Sequence, residues 1–311
     1  MNNTLMTATD QATVPAPAVK TRLVLRTCNA HLTSHGGFQW PANGFVQAPD
    51  FEATYKCGHG LHGLLEGKGE GAYLDWNPEA HWLVVEVEEH LLLTGQGELC
   101  DKCKFPEGNV VHCGTQTSAL DYLQQHGVDL TGCTGAIITV GDHGTATVGE
   151  HGIAMAGYRG TAIASGYGTA IAGLYGIATA GYKGTAVAQD YGKATVGFHG
   201  TATAGYHGIA TTGNEGTATA GNYGIATAGN YGTATAGNFG RAVAGNYGTA
   251  AAGCQGTVSA GKNGIIISTW FDTPKQDYRT IVRSVGKNGI KANTPYKVNA
   301  AGKFIQRGEP K

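Results

Sequence analysis

From His143 to Trp270, apolar and polar positions alternate in blocks of four, and the blocks return every eight residues. Typical blocks are Thr201-Ala202-Thr203-Ala204 and Ile225-Ala226-Thr227-Ala228, each bracketed by glycine. Gly stands at every eighth position from Gly144 to Gly264 without a slip, and a second Gly follows five residues later in most copies, as at Gly205, Gly221 and Gly237. The unit reads G-[TI]-A-[TIV]-A-G-[NY]-[YH]. Alternation with period two belongs to a strand and not to a helix, and Thr, Val and Ile suit a pleated surface. The flanking glycines are expected to turn the chain through φ > 0 at no steric cost. Fixed short periods mark repeat architectures, so each octamer predicts one short strand and a tight corner. Two octamers then make a sixteen-residue coil with a strand on each of two faces; a three-sided coil of twenty-four residues is the alternative. Eight such coils would stack over roughly 40 Å at ~4.8 Å per rung. The predicted fold class is mainly β: a two-sided β-solenoid over residues 135–264.

The alternation also assigns the faces. An unbroken row of small residues, Ala146, Ala154, Ala162, Ala170 and their successors, is expected inside, where it lets two sheets approach closely. Thr then points to solvent. One outer face carries Thr201, Thr203, Thr217, Thr219, Thr233 and Thr235, and the opposite face carries an Ile row at Ile177, Ile209 and Ile225. Exposed Ile in a row is a candidate contact surface. At the corners, Tyr175, Tyr191, Tyr223 and Phe239 lie sixteen or thirty-two residues apart, and a second set, Tyr167, Tyr231 and Tyr247, lies at multiples of sixteen. Each set is expected to stack along one edge of the rod. The core would be thin, with stability coming from backbone ladders and stacked identical side chains.

The stretch Ala228-Gly229-Asn230-Tyr231-Gly232-Thr233-Ala234-Thr235-Ala236-Gly237 resembles the sixteen-residue units of bacterial ice-nucleation proteins, which carry A-G-Y-G-S-T-x-T-A-G. The resemblance covers the repeat region, differs at one residue per half-coil, and implies a β-solenoid and ice as a possible partner.

Outside the repeat the pattern changes. Residues 1–20 are rich in Thr and Ala with Pro15 and Pro17, which predicts a disordered leader without the basic start and apolar core of a secretory signal. Residues 21–134 hold strand-like runs at Arg22 to Thr27, Phe45 to Ala48, Trp82 to Val87 and Val110 to Cys113. Thr117 to His126 has helical spacing, with Gly127 placed as a C-terminal cap. This predicts a small α+β domain covering the first coil, since an open solenoid end exposes unpaired backbone groups. Residues 265–311 replace the Thr/Ala pattern by Ile265-Ile266-Ile267 and Trp270-Phe271, the composition of a β-rich C-terminal cap.

Charge separates the same three regions. Residues 1–134 carry 15 acidic and 7 basic side chains, residues 135–262 carry 4 and 5, and residues 263–311 carry 3 and 9. A nearly neutral rod argues against nucleic-acid binding along its length. No run of eighteen apolar residues occurs, so no membrane span is expected. Seven cysteines, an odd count at irregular spacing, predict a reducing, cytoplasmic setting.

Two sets of head residues could carry chemistry. Cys100-Asp101-Lys102-Cys103 followed by His112-Cys113 has the residue types of a zinc site, although neighbouring His112 and Cys113 would point to opposite faces of a strand. Cys57, His62 and Glu86 could form a head site with His62 and a carboxylate as an acid–base pair. The head resembles an uncharacterised bacterial and phage domain through Cys57-Gly58-His59-Gly60-Leu61-His62, Trp82-Leu83-Val84-Val85-Glu86-Val87 and Lys104-Phe105-Pro106. That domain commonly precedes Gly-Ala-Thr repeats, and it brings no established activity.

A serine-nucleophile motif, a phosphate loop and a dinucleotide fingerprint in a convincing setting are all missing; no cofactor is expected, with zinc the alternative. The chain is thus expected to be a non-enzymatic structural or interaction protein, binding a protein partner or another copy of itself through the rod. Ice binding through the Thr-Ala-Thr rows is the second reading. An enzymatic or ligand-binding head with the rod as spacer is the third.

Overall fold

The computed structural model describes residues 19–307; the leader expected over residues 1–20 lies outside them apart from its last two positions. The head is a seven-stranded antiparallel sheet built from β1 (Thr21–Cys28), β2 (Gly44–Gln47), β3 (Leu61–Leu65), β4 (His81–Glu88), β5 (Leu93–Thr94), β6 (Cys103–Phe105) and β7 (Glu107–Gly114). Their order across the sheet is β2-β7-β4-β1-β3-β6-β5. The central strands are apolar on both faces because both faces are covered. Val24, Leu83, Val85 and Phe105 pack against Trp40 and Val46 on one side, while Leu25, Leu64, Trp82 and Val84 pack against Ala119, Leu120 and Leu123 of α1 (Gln116–Gln125) on the other. Thr115 caps the start of α1 by accepting from the Ser118 N–H. Gly127 ends it at φ 83°, with the Val128 N–H bonded to the Leu123 carbonyl at 3.0 Å. That is the left-handed cap expected of glycine there.

The repeat runs from β8 (Ile137–Val140) to β24 (Ile265–Asp272), a strand in every octamer. Even-numbered strands form one parallel sheet and odd-numbered strands another. Register is sixteen residues throughout, as in Thr201 against Thr217 against Thr233, so the coil is two-sided and the twenty-four-residue alternative is excluded. The Ala rows point inward: Ala202, Ala218 and Ala234 are fully buried, as are Ala194, Ala210 and Ala226 in the opposite sheet.

The head closes one end of the rod. Thr134 donates to the Gly67 carbonyl, the Gly71 N–H donates to a Glu150 carboxylate oxygen at 2.8 Å, and Trp76 stacks on His151 at 4.0 Å. The other end is closed by sheet extension. β24 continues for eight residues and pairs along its length with β25 (Asp277–Ser284), while β26 (Tyr296–Val298) joins the other sheet at Val258 and pairs with β27 (Phe304–Gln306). Ile266, Val285, Ile290 and Tyr296 fill the end of the core, where small residues no longer need to keep two sheets close.

Candidate functional site

The corners decide what the rod presents, and they work differently from the sequence expectation. No repeat glycine has positive φ. The left-handed residue is the one before each first glycine, with φ 58° at Tyr191, 54° at His207, 59° at Tyr223 and 59° at Phe239. The glycines are required by close approach instead. A Cβ on Gly232 would meet the Gly216 carbonyl oxygen at 2.8 Å and the Ala228 Cβ at 2.9 Å. One on Gly229 would meet the Asn214 backbone nitrogen in the coil below at 2.7 Å. Both demands select glycine, so the sequence pattern does not tell them apart. The left-handed residue is held by its own N–H, which donates to the next coil, as from Tyr223 to the Asn238 carbonyl at 2.8 Å. The corner Asn has a role that the pattern left unread. The Asn222 side-chain oxygen accepts from the Asn238 N–H and Asn230 from Asn246, each at 2.8 Å. Each side chain thus satisfies a backbone donor one coil further on.

Between the corners lie the outer rows. On the even sheet the outward residues from Ile153 to Ile267 include no charged side chain, and Thr201/Thr203, Thr217/Thr219 and Thr233/Thr235 sit in register on three consecutive rungs. Strand geometry spaces these hydroxyls by ~4.8 Å along the rod and ~6.6 Å along each strand. On the odd sheet, Ile209 and Ile225 are neighbours, but Lys193 stands between Ile177 and Ile209, and Arg241 follows Ile225. The expected Ile row is therefore a pair and an outlier.

The first aromatic set stacks. Tyr175, Tyr191, His207, Tyr223 and Phe239 form one ladder with ring centroids 4.8–5.2 Å apart, His207 filling the rung between Tyr191 and Tyr223. The second set does not form a continuous ladder. Tyr231 stacks on Tyr247 at 5.0 Å, and Tyr167 on His151 at 4.9 Å. Lys183, His199 and Glu215 occupy the corners between those pairs, the last two paired at 3.4 Å.

In the head the zinc candidates are kept apart. Cys103 lies on β6 and His112 and Cys113 on β7, with β4, β1 and β3 between, which separates them by roughly 19 Å at ~4.8 Å per strand. Cys103 donates to the Gly63 carbonyl at 3.3 Å, and burial pushes its thiol up to about 12. Cys100 is exposed, and His112 meets the Ser118 hydroxyl at 2.9 Å. Among the described residues no three His, Cys, Asp or Glu side chains gather as a metal site would require.

The other head set is divided. Cys57 and His62 line one cavity, whereas Glu86 accepts from the Thr21 hydroxyl at 2.8 Å and sits level with Leu23 on β1, away from His62. The acid–base pairing of His62 with Glu86 is therefore not formed. His62 instead lies among cations. Its pKa falls to about 4, first from burial, then from Lys102, Lys104 and Arg26.

The fold and its surface define a β-solenoid repeat protein with a docked α+β head. Its repeat region is similar to ice nucleation proteins. It is 36% identical over 114 residues to ice nucleation protein InaU of Pantoea ananas, a match covering 36% of this chain and 11% of the relative. It is 39% identical over 116 residues to the ice nucleation protein of Pseudomonas fluorescens, covering 37% and 9%, and 39% over 103 residues to that of Xanthomonas campestris pv. translucens, covering 32% and 6%. The matched stretch thus spans about a tenth or less of these relatives' length. No family model matches the chain, and no solved structure matches it.

Proposed function

We propose that the even-sheet face orders water and that the protein binds or nucleates ice through Thr201, Thr203, Thr217, Thr219, Thr233 and Thr235. The observation that carries this reading is the uncharged, in-register Thr array, set against an opposite face broken by Lys193 and Arg241. Immobilising one water costs up to ~2 kcal/mol. A rigid grid of hydroxyls and methyls spreads that cost over a whole patch, because Thr on a strand has little side-chain freedom left to lose. The likeness to ice nucleation proteins supports the same reading. The test is droplet freezing and thermal hysteresis of the full chain, beside a Thr217→Lys/Thr219→Lys double variant. The expected outcome is activity above buffer in the parent and its loss in the variant, with an unchanged circular-dichroism melt. A parent indistinguishable from buffer, or a fully active variant, overturns the proposal.

A second reading, self-association through the edge, has its own observation: the Tyr175–Phe239 ladder is about half exposed, with Tyr175 at 45%, Tyr191 and Tyr223 at 46% and Phe239 at 47%. Light scattering behind size exclusion tests it. A concentration-dependent oligomer that Tyr191→Ser/Tyr223→Ser dissolves supports it, and a monomer at all concentrations refutes it. A cytoplasmic setting is part of the proposal, supported by seven cysteines all present as free thiols.

A further inference from the structure

Three cations meet beneath the head surface without a carboxylate. Lys104 is fully buried and Lys102 is 9% exposed, and Arg26 lies over the Trp40 ring at 3.8 Å. None of the three forms an ion pair among the described residues. Their hydrogen-bond partners include no carboxylate. Lys104 donates to the Lys56 carbonyl at 2.9 Å, Lys102 contacts the Cys57 sulfur at 2.9 Å and sits over the Tyr73 ring, and Arg26 donates to the His62 and Thr27 carbonyls. Buried charge is ordinarily paired, so uncompensated positive charge here needs an explanation.

The same residues frame open space. A cavity of about 480 Å³ is lined by Arg26, Phe38, Trp40, Cys57, His59 and His62 among others, and a second of about 120 Å³ lies against Arg26, His62, Tyr73 and Lys102. Arg26 and His62 line both. The Arg26 Nε and the His62 Nε2 are buried and have no hydrogen-bond partner, an arrangement that costs about 1–3 kcal/mol per group if nothing relieves it. The one carboxylate on the larger cavity, Asp50, is engaged with His59 at the rim at 3.3 Å. Wall and floor are built to stay: the Lys104 ammonium ties down the 54–58 loop, and Trp40, 1% exposed, backs the guanidinium.

We propose that this cavity binds a small phosphate-bearing molecule, with its anionic group drawn to Arg26, Lys102 and His62 and its remainder in the larger space beside Phe38. A guanidinium offers paired donors to phosphate oxygens, and an anion beside Arg26 and Lys102 supplies counter-charge that these two cations lack. The site is independent of the rod's outer face.

The experiment is calorimetric titration of the full chain with inorganic phosphate, with adenosine monophosphate and with adenosine. Saturable binding of either phosphate probe, weakened tenfold or more by Lys102→Gln with an unchanged melt, supports the site. Binding of both probes marks the phosphate group as sufficient, and binding of the nucleotide alone marks the larger space as part of recognition. Arg26→Gln serves as a second variant, and His62→Gln as a third should the buried arginine prove necessary for folding. Absence of binding by both phosphate probes at millimolar concentration overturns the proposal. So does adenosine binding as tightly as its monophosphate, or binding unaltered in both Lys102→Gln and His62→Gln.

Discussion

The rod and the head are both β structure, yet they are stabilised in different ways. In the rod, each residue meets its equivalent sixteen positions away, the core is alanine, and corner side chains close the backbone hydrogen bonds of the next coil. In the head, strands distant in sequence pair antiparallel, both faces of the sheet bury bulky residues, and three cations are enclosed. The rod therefore tolerates little added volume along its alanine rows and at its corner glycines, where neighbouring coils approach closely. The head has room in places and pays instead for buried polarity. One residue type illustrates the difference: the repeat glycines serve the rod by having no Cβ, whereas Gly127 serves the head by reaching positive φ.

The same substitution in both regions tests that contrast most directly. Gly232→Ala places a Cβ against backbone and Ala228, which cannot yield, and is expected to cost about 3 kcal/mol. Gly127→Ala meets nothing within 4 Å and strains only φ, for about 1 kcal/mol. Denaturant melts of the two variants measure the difference, and equal costs would break the comparison.

Acid is expected to act on the head before the rod. His62 has a folded pKa near 4, below its ordinary 6.5, so the fold favours neutral His62. Its contribution is complete above about pH 6.5 and is lost as pH falls towards 4. Allowing for partial solvent screening, the loss is about 2 kcal/mol. Hydrogen exchange at pH 7 and 4.5 should show the head strands losing protection first. His62→Gln should flatten that pH dependence, and a pH-dependent head in that variant would assign the effect elsewhere.

Smaller effects sharpen the account of the corners. Asn230→Ala removes the acceptor for the Asn246 N–H and should cost about 1 kcal/mol. Tyr191→Ser, which removes a ring stacked on both Tyr175 and His207, should cost about 0.5–1 kcal/mol. Thermal melts rank the two, and the reverse order would make stacking the larger contribution.

Much of the rod was legible because its period is local and unbroken. An eight-residue repeat with alternating Thr and Ala dictates one strand per octamer, a corner between strands and the inward row, and the Tyr175–Phe239 spacing places those rings in a ladder on a sixteen-residue coil. The second aromatic set and the Ile row were less legible. Lys183, Glu215 and Lys193 are substitutions within the pattern, and their effect depends on which rung lies beside which. In the head, the strand runs and α1 followed from apolar periodicity and the Gly127 cap, while their pairing did not. Cys103 and His112 are nine residues apart in sequence and four strands apart in the sheet.

By itself, then, the sequence determined that this chain makes a β-solenoid with alanine inside and threonine outside, because period two and period eight together demand short strands joined by tight corners. Only the tertiary structure decided that the coil has two sides, why each repeat glycine is needed, which outer face is uncharged, and that Arg26 and His62 line both head cavities with Lys102 on the smaller one. Those outcomes depend on contacts between residues a coil or a sheet apart, and no local pattern in the chain encodes the distance between them.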